Sequence, residues 1–185
     1  TQVIPELDAY RFAKYASGAL AANIKTETPT AQTILGLIDD ATAKLDDDEV
    51  PYEGRILFVN PATYKLIKGG VTRMVMNRDD NVNYNVEMFN DMQVITVPSG
   101  RFNTAVTVNA PTTSAGAGGY TASGDAINYM IVHPTAVLQV VKHQIPRIFS
   151  PEVNQEADAW KFDYRVYHDC WVKAKKTNGI YVSHA

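Results

Sequence analysis

The hydrophobic residues of this chain change period several times, and each change predicts a change of element. Ala9, Phe12, Ala13, Ala16 and Leu20 recur at helical spacing, with Ile4, Leu7 and Tyr15 on a neighbouring face. They predict a helix of about five turns, covered on more than one side. Pro5 suits only its first turn, so an interruption or kink is expected there. A second helix is predicted from Thr28 as N-cap and Pro29 as first helical residue, carried by Ala31, Ile34, Leu35, Ile38, Ala41 and Leu45, with Asp39, Asp40 and Lys44 outward. Ile56–Val59 is too short and too rich in strand formers for a helix and predicts a buried strand. Asn60-Pro61 then caps a short helix over 62–68, which Gly69-Gly70 terminates. Residues 92–97 predict another strand, closed by Pro98-Ser99-Gly100.

The organising stretch is 127–141. Ile127, Tyr129, Met130, Ile131 and Val132 form a run suited to a strand buried on both faces. Pro134 opens a short helix through 136–141, and a more polar strand follows over 142–149. Strand–Asn-Pro–helix and strand–His-Pro–helix are parallel units, which predicts one sheet with helices beside it, in an α/β or α+β layer. Near the C-terminus, Trp160, Phe162, Tyr164, Val166 and His168 alternate with Lys161, Asp163, Arg165 and Tyr167, the period of a half-buried strand. Cys170, Trp171 and Val172 prolong it. Asn178-Gly179 predicts a hairpin turn returning as Ile180-Tyr181-Val182, and a long twisted hairpin is expected with 144–149.

Composition narrows the function classes. The 185 residues allow one domain or two small ones sharing a core. No apolar run reaches the ~20 residues of a membrane-spanning helix. The one cysteine, Cys170, excludes an internal disulfide framework. A net charge of −3 argues against a nucleic-acid reader. Charge is unevenly shared: from Lys142 onward there are 7 basic and 5 acidic residues, and before it 10 and 15. That asymmetry favours head-to-tail contact between copies, against a simpler reading as solvated surface. Residues 69–84 read as an exposed polar loop, and 103–125, nearly all Thr, Ala, Ser, Gly, Asn and Pro, as a mobile surface excursion. The chain opens at Thr1 inside a helical pattern, without an initiator methionine, which predicts a piece of a longer polypeptide.

Candidate chemistry is sparse. His133, His143, His168 and His184 show no metal-ligand spacing; His133 is expected to cap the turn after it. Cys170 follows Asp169, which disfavours a thiolate and predicts a structural thiol. The acidic run Asp46-Asp47-Asp48-Glu49 lacks a calcium-loop pattern and reads as a solvated turn, or one facing a basic neighbour from another subunit. Asp39-Asp40 reads as a helix surface. Gly116, Gly118 and Gly119 lack the remaining glycine of a dinucleotide loop, since Thr121 stands in its place, and no Gly-Lys-Ser/Thr follows. No catalytic, cofactor-binding or metal-binding set is therefore assigned. The alternative reading is a small α/β enzyme with a pocket at the ends of Ile56–Val59 and 127–132.

The order of motifs carries a resemblance. Val3-Ile4-Pro5-Glu6-Leu7-Asp8-Ala9-Tyr10-Arg11-Phe12-Ala13, Leu45-Asp46-Asp47-Asp48-Glu49-Val50-Pro51 and Phe58-Val59-Asn60-Pro61-Ala62 are followed by Val97-Pro98-Ser99-Gly100-Arg101-Phe102, Ile131-Val132-His133-Pro134-Thr135-Ala136-Val137 and Gly179-Ile180-Tyr181-Val182. In that order they resemble the major capsid (coat) proteins of tailed bacteriophages and prophages, of the Hong Kong 97-like fold, over nearly all of the chain except 103–125. The resemblance implies an α+β fold. An axial domain with a mixed sheet and flanking helices would occupy 28–141, with 103–125 as an insertion. An elongated peripheral domain would take the end of a long spine helix from 1–27 and a β-ribbon from 142–185, possibly with a return to the sheet. It also implies that the N-terminal arm, extended loop and first part of the spine helix lie outside this sequence. The implied function is a non-enzymatic structural subunit of the virion capsid, made in the bacterial host cytoplasm. Copies would assemble into hexamers and pentamers enclosing DNA without reading its sequence, with scaffold and portal proteins as further partners. No cofactor and no membrane are implied. A cargo-enclosing compartment protein of the same fold is a further alternative.

Overall fold

The computed structural model describes residues 3–75, 86–109 and 119–185. The first helix, α1 (Val3–Gly18), buries Ala9, Phe12, Ala13, Tyr15 and Ala16. Pro5 falls in its first turn, where a missing N–H costs nothing. Leu20 lies beyond the helix and is exposed. A short 3₁₀ turn leads to β1 (Ile24–Thr26).

The second helix, α2, runs Ile34–Asp47 and starts later than the Thr28-Pro29 signal predicts. The reason is local. Thr30 and Thr33 exchange backbone N–H to hydroxyl bonds, at 3.0 and 3.3 Å, and make a turn of their own before the helix. The strand β2 (Ile56–Val59) is as expected, and Asn60 caps α3 by accepting from the Thr63 N–H at 2.7 Å. That helix, Pro61–Val75, continues through both glycines that were expected to end it. Gly70 serves packing instead: a Cβ there would lie 3.1 Å from Leu35 of α2.

After the short strands β3 (Met88–Phe89) and β4 (Met92–Thr96), the chain forms β5 (Asn103–Val108) and β6 (Tyr120–Val132). These pair antiparallel, from Asn103 opposite Ala126 to Val108 opposite Tyr120. The expected mobile excursion is therefore an ordered hairpin over 103–108 and 120–125, because alternating Val and Thr suit a strand even among small residues. Residues 110–118, with Gly116 and Gly118, lie outside the described residues, as do 76–85 of the expected polar loop.

The helix expected at 136–141 is a 3₁₀ turn over Pro134–Ala136, capped by His133, whose Nδ1 accepts from the Thr135 N–H. The β-branched Val137, Val140 and Val141 already belong to β7 (Val137–Phe149). Its partner β8 (Lys161–Val172) pairs antiparallel, from Val137 opposite Val172 to Phe149 opposite Lys161. This is the long hairpin the sequence predicts. The hairpin predicted at Asn178-Gly179 does not form. A 3₁₀ turn over Thr177–Gly179 leads to β9 (Ile180–His184), which leaves β8 and inserts between β1 and β6.

The main sheet runs β1-β9-β6-β2-β4-β3, with β5 beside β6, and is mixed: β1/β9 and β2/β4 are parallel, while β6 is antiparallel to both its central neighbours. Period-two alternation along β6 divides its run between two cores. Met130 and Val132 pack with Phe12, Tyr15, Phe102 and Cys170 on the α1 side. Tyr129 and Ile131 pack with Ile34, Ile38, Leu45 and Ile67 under α2 and α3. A strand walled on both faces reads as near-continuous hydrophobicity, here broken only by Asn128 within 127–132.

Candidate functional site

The pocket of the enzyme alternative would have to gather the ends of β2 and β6. These strands are antiparallel, with Ile56 opposite Val132 and Val59 opposite Tyr129, so Asn60 and His133 lie at opposite ends of the sheet. Both side chains are also engaged. Asn60 donates to the Ile127 carbonyl at 2.9 Å while capping α3. With Nδ1 of His133 accepting from Thr135, Nε2 is the donor to the Glu53 carbonyl, at 3.1 Å.

The acidic turn is only partly solvated. Arg55, one residue before β2, is 1% exposed and gathers the C-terminal end of α2 around its guanidinium. It donates to the Pro51 carbonyl at 3.0 Å, the Val50 carbonyl at 2.6 Å and an Asp46 carboxylate oxygen at 2.6 Å. A cation there complements the helix dipole and offsets the local carboxylates. The Lys44 ammonium holds the Asp48 carboxyl below the usual carboxylate range, with a further bond from Asn23. The helix ends in a Schellman-type turn, with Val50 N–H on the Leu45 carbonyl and Glu49 N–H on the Asp46 carbonyl. Glu49 occupies the left-handed position at φ 55°.

A second polar centre sits where β1 meets α2. The Glu27 carboxylate accepts from Tyr129 at 3.0 Å, Ser183 at 2.7 Å and Tyr181 at 3.4 Å. The tyrosine rings stack with centroids 6.2 Å apart. Burial, then the Glu27 charge, pushes the Tyr181 phenol up to about 12 and raises Tyr129 further. Neither Arg55 nor Glu27 belongs to a motif; burial reveals Arg55, and the hydrogen bonds converging on the Glu27 carboxylate reveal Glu27.

At the base of the ribbon, Tyr10 of α1 donates to Asp169 at 2.9 Å, and Gln139 donates to Tyr15. Burial, then the Asp169 bond, pushes the Tyr10 phenol up to about 12. Cys170 is buried, and burial together with Asp169 raises its thiol. Burial and Arg11 lower His168. His143 stands at the ribbon bulge and His184 at the end of β9, so the four histidines are dispersed. Among the described residues no His, Cys, Asp and Glu group could hold a metal ion.

Further out, the ribbon has no covering layer among the described residues. Phe162 is 72% exposed and Trp160 and Ile148 are 61% exposed, with Tyr164, Val141, Ile145, Tyr167 and Trp171 also open. The half-buried strand predicted by alternation is therefore a strand exposed on both faces over its outer half, since alternation shows a pleat but not what covers it. The register slips between Val141 and His143, leaving Lys142 as an extra residue. Lys142 and His143 there line a concavity of about 340 Å³ with Arg165 and Tyr167.

No protein-family model and no curated protein matches the chain. Solved structures do. A chain from Mycobacterium phage Che8 matches at a TM-score of 0.60 and 13% identity, over 98% of this chain and 58% of that one. A chain from the asymmetric unit of the bacteriophage PhiM1 mature capsid matches at 0.61 and 13%, over 97% and 60%. The chain thus spans about three fifths of the length of each. It has the fold of a phage major capsid protein.

Proposed function

We propose that this chain is part of the structural subunit of a bacteriophage or prophage capsid of the Hong Kong 97-like type. Copies assemble into hexamers and pentamers that enclose DNA. The central sheet with α2 and α3 forms the axial part, and α1 with the β7–β8 ribbon the peripheral part. The observation that carries this reading is the bare outer ribbon. A two-stranded ribbon alone is marginal in water, and large apolar side chains concentrated on one mark a protein-contact surface. Copies of the chain supply that cover in a shell. A net charge of −3 suits a wall that encloses DNA without gripping it. Scaffold and portal proteins are the expected further partners, and the virion is the expected location. Among the described residues no helix is long and apolar enough to cross a membrane.

The test is sedimentation of the chain over a concentration series, beside a variant carrying Ile148→Ser and Phe162→Ser. Association of the parent chain, lost in the variant at unchanged thermal stability, is the expected result. Equal behaviour of the two chains contradicts the assignment of the ribbon.

A further inference from the structure

The capsid reading leaves open which surface of a neighbour meets the ribbon, and the charges answer in part. At the β7 bulge the extra residue sets Lys142 and His143 together against Tyr167, and Arg165 closes the same concavity. Among the described residues none of Lys142, His143 or Arg165 makes an ion pair. The aromatic ring and the exposed Ile145, paired with Arg165, make this a surface for protein. A phosphate backbone would use the charge and leave the apolar groups wet.

The matching surface is on the chain itself. Along α2, Gly36, Asp40, Ala43 and Asp47 form an exposed stripe, with Ala43 between two carboxylates about 10 Å apart along the axis and Gly36 one turn before them. Arg55 and Lys44 answer Asp46 and Asp48, and Asn90 donates to Asp39. Asp40, Asp47 and the neighbouring Glu49 have no cationic partner among the described residues. Small residues allow close approach, and the unanswered Asp47 and Glu49 at the helix C-terminal end gain from an external cation.

We infer that the bulge site of one copy receives the Asp40–Asp47 stripe of α2 from a second copy, in a head-to-tail contact. This rests on the capsid reading and names the contacting surfaces. Being heterologous, the contact repeats around a ring, as a capsomer requires.

The experiment uses two charge-reversed variants, Lys142→Glu with Arg165→Glu, and Asp40→Lys with Asp47→Lys, in sedimentation at low and high salt. Each variant alone is expected to associate about tenfold more weakly than the parent chain, and an equimolar mixture to recover association. Added salt should weaken the parent contact. Carbodiimide coupling between isotopically light and heavy copies should join Lys142 of one to Asp40 or Asp47 of the other. Association of the parent chain that ignores both reversals, or couplings that fall elsewhere, overturns this contact and leaves the capsid reading standing. Loss of mixed-sequence duplex DNA binding in the Lys142/Arg165 variant, with association unchanged, also overturns it. A parent chain that stays monomeric at low salt overturns both.

Discussion

At the scale of single residues, stability concentrates on a few polar groups that no motif announces. Arg55 is the clearest, because its partners are mainly backbone carbonyls rather than its one carboxylate. Arg55→Met should cost about 3 kcal/mol in chemical denaturation, since it strands buried acceptors. Asp46→Asn should cost no more than about 1 kcal/mol, because Asp46 is half exposed and the carbonyls remain. Equal losses would mean that the ion pair, not the carbonyl cradle, holds the turn. Glu49 carries strain of the opposite sense. It sits at φ 55° in an acidic run, so Glu49→Gly should raise stability by about 1 kcal/mol, read as a higher Tm. The tyrosines around Glu27 set an alkaline limit. With its folded value at about 12, above the ordinary 10, Tyr181 contributes stability fully present below pH 10. That contribution is lost as pH rises from 10 through 12, because only the unfolded phenol ionises readily there. Tyr129 acts in the same direction. Denaturation midpoints should fall above pH 10, and less steeply in Tyr181→Phe.

At the scale of elements, two glycines show how local signals yield to packing. Gly69 lies inside α3, and a Cβ added there would meet nothing within 4 Å, so Gly69→Ala should stabilise by about 0.5–1 kcal/mol. Gly18 ends α1 where a Cβ would stand 2.5 Å from Val172, at the foot of the ribbon. Gly18→Ala should therefore destabilise and loosen α1 from β8, seen as a lower Tm and faster amide exchange in both elements. The same contrast explains what was legible in the sequence. Residues 127–132 are legible because burial on both faces leaves Asn128 as the one polar residue among five apolar ones. The ribbon strands were visible as alternation and as a pair, yet their exposure was not, because Phe162 and Tyr164 look alike in sequence whether a core or a neighbour covers them. Gly69-Gly70 misread as a stop because the close approach of Leu35 is a long-range fact. Asn178-Gly179 signalled a turn correctly but not its partner: whether β9 returns to β8 or crosses to β6 depends on which strand offers an apolar edge. The centres at Arg55 and Glu27 are hidden for the same reason, their partners lying on β6, on β9 and around the end of α2.

At the scale of the whole molecule, a well-walled sheet carries a ribbon whose outer apolar residues have no cover among the described residues. Such a molecule is incomplete alone in an energetic sense, because exposed Trp160, Phe162 and Ile148 favour any arrangement that removes them from water. A chain from the asymmetric unit of the PhiM1 mature capsid shares this fold at 13% identity. Low identity with retained topology is expected when burial pattern, rather than particular side chains, specifies the fold. Association should then be a property of the ribbon and of charge, leaving the sheet unchanged. The most direct measurement is electron microscopy of the polypeptide that carries this chain, purified and concentrated under low-salt conditions. Rings of five and six copies, or closed shells with the ribbon lying between adjacent copies, are the predicted result; a field of dispersed single copies would contradict the account.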